Sequence, residues 1–149
     1  MESFACQKMG TSFVKYKGNG FWSWDGYLEH LLFLLSQTIA PSPDESWLNE
    51  VRDHWREQAS GVFGAYIHPN LDVYITDQHR RRVIVELIEH VVSTPGVTKE
   101  VSETAQLMKR LLSGEITTDE SSPLDYMVNG KHPYEWWVQR NAKMNMNSS

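Results

Sequence analysis

Glu50 with His54, and Glu86 with His90, stand four residues apart. At that spacing a carboxylate and an imidazole share one face of a helix and can pass a proton. It is also the spacing of ordinary surface pairs, which stabilise a helix by about 0.2–0.5 kcal/mol. The adjacent pairs Glu29-His30, Asp53-His54 and Glu89-His90 point roughly 100° apart on a helix and do not face one another. A metal site needs three or four converging ligands. His68, Asp72, Asp77 and His79 could meet across a loop, but nothing in their spacing requires it, and neither His-Glu-x-x-His nor a Glu-x-x-His repeat occurs.

Nucleophilic chemistry finds no better footing. Cys6 is the only cysteine, so neither an internal disulfide nor a cysteine-based zinc site can form, and no base adjoins it. There is no Gly-x-Ser-x-Gly turn, and Gly18-Asn19-Gly20 is too short for a phosphate-cradling loop. The residues therefore predict no catalytic group, no metal and no cofactor. They describe a protein that binds rather than reacts.

Charge narrows the partner. Fourteen Lys and Arg stand against nineteen Asp and Glu, a net charge of −5. Such a chain repels a phosphate backbone at long range and attracts a basic partner. The one basic cluster, Arg80-Arg81-Arg82, is short enough to be the solvated face of a helix. A lone cysteine, no leader-like N-terminus and no apolar run longer than Leu31–Leu35 lead to the expectation of a cytoplasmic protein away from membranes.

The elements that must carry these residues read as helices. Tyr27, Leu28, Leu31, Leu32, Leu34 and Leu35 cover more than half of a helix that ends before Pro41, a width suited to a central position. Ser23 is the expected N-cap of that helix, with Asp25 in its first turn. In the next, Ser42, Pro43 and Glu45 read as a capping box, followed by the stripe Trp47, Leu48, Val51, Trp55 and Ala59 and a stop at Gly61. Residues 61–76 read as a structured connection with one helical turn near Leu71–Ile75.

Thr76 or Asp77 caps a third long helix (Val83, Ile84, Leu87, Ile88, Val91). Thr98 caps a fourth (Val101, Ala105, Met108, Leu111, Leu112), with Gly114 as its stop. Ser122-Pro123 and His132-Pro133 suggest short helix starts, the second carrying Trp136 and Trp137. Residues 1–20 read as an irregular arm in which "SFVKYK" is a short strand or an extended run, turned by Gly18-Asn19-Gly20; residues 141–149 read as a frayed tail. The expected fold class is all-α: one domain over residues 1–149, a compact bundle of four main helices plus short C-terminal ones.

"YKGNGFWSWDGYLEHLLFLL" and "WLNEVRDHWREQASGVFGAYIHPNLDVYITDQHRR" carry a resemblance over about residues 16–92. Through Gly20-Phe21-Trp22, Asp25, Leu28-Glu29, Arg52-Asp53-His54-Trp55 and Pro69-Asn70-Leu71-Asp72 the chain resembles small bacterial proteins akin to the immunity proteins of contact-dependent inhibition and other polymorphic toxin systems. The resemblance implies a cytoplasmic inhibitor that binds a cognate toxin domain, a basic nuclease, and blocks its active site. No catalytic residue comes with it.

For such a role the candidate partner-binding residues are Asp72 and Asp77 in the central segment and Asp119, Glu120 and Asp125 in the acidic stretch. Trp22 and Tyr74 are the candidate aromatic anchors. The alternatives are a small metal- or histidine-dependent enzyme using His68, Asp72 and His79, and a homodimeric structural or adaptor module.

Overall fold

The computed structural model describes residues 10–40, 44–61 and 66–120. It corrects the all-α expectation: five helices are joined by a two-stranded antiparallel sheet, an α+β architecture. Strands β1 (Thr11–Tyr16) and β2 (Asn19–Trp24) form a hairpin in which Tyr16 faces Asn19. The turn is therefore the two residues Lys17-Gly18, one position earlier than expected. Both have positive φ, 52° and 84°, the left-handed pair that matches the twist of a tight hairpin. Lysine carries this strain where the usual signal is Asn-Gly, which hides the hairpin from a sequence reading.

Alternation then sorts the strands. Ser12, Val14 and Tyr16 with Phe21 and Ser23 form the buried inner face, which packs against helices. Phe13, Lys15 and Trp22 share the outer face, where the Phe13 and Trp22 rings meet edge to face at 5.3 Å. Gly20 has no room for a side chain. A Cβ there would strike the Val14 carbonyl oxygen and sit 2.7 Å from the Phe13 ring.

Helix α1 (Asp25–Thr38) follows directly. Ser23 is inside β2 and does not cap it; Trp24 holds the cap position without a side-chain bond. Asp25 is the first helical residue, as its place near the positive end of the dipole suggests. Leu28, Leu31, Leu32 and Leu35 lose all exposure between α2 (Ser46–Ala59), α4 (Gln78–Val92) and α5 (Lys99–Leu112), so α1 is the central helix. The short helix α3 (Leu71–Tyr74) lies between α2 and α4 in sequence and touches β1.

The four long helices lie where the apolar periodicity puts them, with capping confirmed at two. Asp77 accepts from the Arg80 N–H at 2.8 Å and Thr98 from the Val101 N–H at 3.3 Å. The capping box at α2 is not formed. Glu45 is the N-cap residue itself, makes no capping bond with its side chain, and instead meets His79 Nε2 at 3.0 Å. Ser42, Pro43 and the tail elements after Glu120 lie outside the described residues. Among the described residues, no helix is long and apolar enough to cross a membrane.

Candidate functional site

Between β1 and the segment Tyr66–Val73 lies a cavity of about 400 Å³, bordered also by Glu120. Its walls follow from how that segment is anchored. Ile67 N–H donates to Ser12 Oγ (3.0 Å), and Lys17 N–H donates to Asp72 Oδ1 (2.8 Å). Residues 67–72 thus run alongside residues 12–17, tied at both ends. On the far side, Trp55 Nε1 donates to the Pro69 carbonyl (2.9 Å), His54 Nε2 meets the His68 carbonyl (2.7 Å), and His68 N–H donates to Gln58 Oε1 (2.8 Å). Asn70 adopts the left-handed conformation (φ 56°) that turns the chain into α3. The backbone groups of this loop are met by side chains, which fixes it without a regular ladder.

The cavity surface combines Phe13, Lys15, Tyr66, His68, Asp72 and Glu120. Tyr66 stacks on His68 with centroids 5.1 Å apart, and its hydroxyl donates to Glu120 Oε1 at 3.4 Å. Partial burial, then the charge of Glu120, raise the Tyr66 phenol above its usual value, partly offset by a hydrogen bond from the Phe13 backbone. Val73 is 64% exposed and Tyr66 42%, two of the three large apolar side chains most open to solvent among the described residues. Leu71 and Ile75, four apart, are buried, so Val73 midway between them is turned outward.

Of the expected partner-binding residues, Asp72 and Glu120 come together at this cavity, and Asp119 is exposed beside Glu120. Asp77 does not join them: it caps α4. Tyr74 is half-buried behind the cavity, 5.8 Å from the His54 ring, and its carbonyl accepts from Arg80 Nη1. Burial, then Glu50 and Glu57, raise its phenol too. Trp22 belongs to the outer face of the hairpin, against Phe13, and not to a helix start. Asp125 lies outside the described residues.

The set His68, Asp72 and His79 is split. His68 and Asp72 line the cavity, while His79 pairs with Glu45 at the start of α2. Among the described residues, no three His, Cys, Asp or Glu side chains gather as a metal set. The arginine cluster is partly structural, since the Arg80 guanidinium lies 4.9 Å from the centre of the Trp47 ring.

Sequence reasoning did not reach Lys15 or Tyr66. The apolar spacing of Leu71 and Ile75 was the available signal for Val73. No protein-family model, curated protein or solved structure matches the chain.

Proposed function

We propose that this chain is an immunity-type inhibitor that neutralises a cognate bacterial toxin, a basic nuclease, by covering its active site with the surface around the cavity. One observation carries the reading: Val73 and Tyr66, exposed on a segment tied to β1 and α2, stand beside the Asp72 and Glu120 carboxylates. Apolar anchors flanked by charge are the arrangement in which a few residues hold a protein partner and the charges select it. A segment already fixed by hydrogen bonds loses little conformational freedom on docking. The net charge of −5 favours a basic partner. The resemblance over residues 16–92 supports the same role.

The test is growth. The C-terminal region of the neighbouring gene's product is expressed under tight control, with and without this protein. Arrest relieved only by co-expression is the expected result, with Val73→Asp relieving it less well. A harmless neighbour, or a toxic one that stays toxic beside soluble co-expressed protein, overturns the proposal. With a purified pair, Glu120→Lys slows association several-fold at low salt, and the difference shrinks as salt screens it.

A further inference from the structure

The outer edge of β1 opens into the cavity, and just past its end the facing segment takes one backbone group, the Lys17 N–H. Gly20 sets the phase. Its N–H donates to the Thr118 carbonyl (2.8 Å) and its carbonyl accepts from Thr118 Oγ1 (3.1 Å), so both groups point away from β1. Lys15 lies directly opposite Gly20. In an antiparallel pair, opposite residues either exchange both bonds or direct both outward. Lys15 therefore directs its N–H and C=O away from β2, toward the cavity.

Two residues further along, the Lys17 N–H is taken by Asp72, and Tyr66 lines the cavity together with Phe13. Among the described residues, no group bonds the outward pair of Lys15. It is an open rung of a sheet edge, flanked by two carboxylates and an exposed tyrosine.

We infer that β1 pairs, through the backbone N–H and C=O of Lys15, with a short extended segment of the toxin that carries basic residues on both sides of a small apolar stretch. This rests on the reading of the cavity as the toxin-facing surface and adds the mode of recognition. Pairing along a sheet edge draws its affinity from main-chain bonds and its selectivity from the side chains that flank them. Asp72 and Glu120 favour cationic flanks. The Lys15 side chain, on the outer face of the strand, disfavours a cationic residue directly opposite it. The open stretch from Phe13 to Lys17 spans four residue steps, about 13 Å, room for some three residues of an added strand.

The probe is the blocked peptide acetyl-Lys-Val-Thr-Val-Lys-amide, titrated into the isotope-labelled full chain and followed by nuclear magnetic resonance. The expected result is a shift and slowed exchange of the Lys15 amide. Lys15→Pro removes the outward donor at a position where the ladder to β2 needs none and should weaken binding at least about tenfold. Should that variant misfold, methylating the central amide of the peptide makes the same test from the other side.

A peptide with glutamates in place of its lysines should bind several-fold more weakly. An unmoved Lys15 amide, undiminished binding to Lys15→Pro, or concentration-dependent self-association that occupies the edge without peptide each overturns the inference. The growth test is read separately. Peptide pairing without neutralisation removes the toxin and leaves the edge site, whereas neutralisation that survives Lys15→Pro removes the edge site and leaves the toxin.

Discussion

In α1, Leu28, Leu31, Leu32 and Leu35 reach zero exposure against three neighbouring helices. The 66–74 segment sets only Ile67 and Leu71 into that core and adds single hydrogen bonds to Ser12, Lys17, His54, Trp55 and Gln58. Burial in the first region is non-directional and is shared among many contacts, so it tolerates small shifts. The second adds a few directed bonds to two buried side chains, and each bond leaves a polar group unmet when lost. One region supplies stability; the other holds a surface in a defined shape on top of it.

The contrast is sharpest at its extremes. Leu32→Ala should cost about 3 kcal/mol in chemical denaturation, because a fully buried leucine is replaced by a cavity in the central helix. A loss below about 1 kcal/mol would place the stabilising core elsewhere. Ser12→Ala should cost less, about 2 kcal/mol, by leaving the Ile67 N–H unmet and removing the 2.6 Å bond from Ser12 Oγ to Asp25. Its exchange signature should be local, with amides of residues 67–74 opening sooner while those of α1 keep their protection. If both sets open together, the two regions are one cooperative unit and the comparison fails.

The smallest effect concerns the surface itself. With its phenol raised above the usual 10.0, folded Tyr66 keeps its proton longer than the unfolded chain does. The associated stability is therefore complete below pH 10 and disappears as pH rises through the folded value. Glu120→Gln removes one of the causes, so Tyr66 should ionise at lower pH. Tyr74, raised by burial and by Glu50 and Glu57, should not move. Ultraviolet titration of tyrosinate, with Tyr66→Phe to assign the step, checks this; an unchanged Tyr66 step would detach Glu120 from the cavity.

Legibility in the sequence follows the same division. The stripes of α2, α4 and α5 and the caps Asp77 and Thr98 are encoded within a few residues of one another, so spacing reveals them. The hairpin is not, because Lys17 takes a left-handed conformation that its residue type does not advertise. Glu45 has the residue type of a capping box but serves as the N-cap and reaches His79 instead, since tertiary contact overrode a local motif. The cavity was half legible. Asp72 and Glu120 stood out by charge, whereas Lys15 and Tyr66 meet them only through contacts 55 residues apart or nearly so, such as Lys17 with Asp72 and Tyr66 with Glu120.

The bond between Gly20 and Thr118 spans 98 residues of chain. On a ribosome the hairpin emerges early with both edges bare, and β2 cannot be covered until Thr118 has left the exit tunnel. At ordinary synthesis speed that interval is roughly 5–20 s. During it, the hairpin is an unpaired template that neighbouring nascent chains could extend. Two short strands and the exposed charge of Lys15 are what guard it in the meantime. Among the described elements, the first to be made thus waits for a residue that follows the last before it is complete.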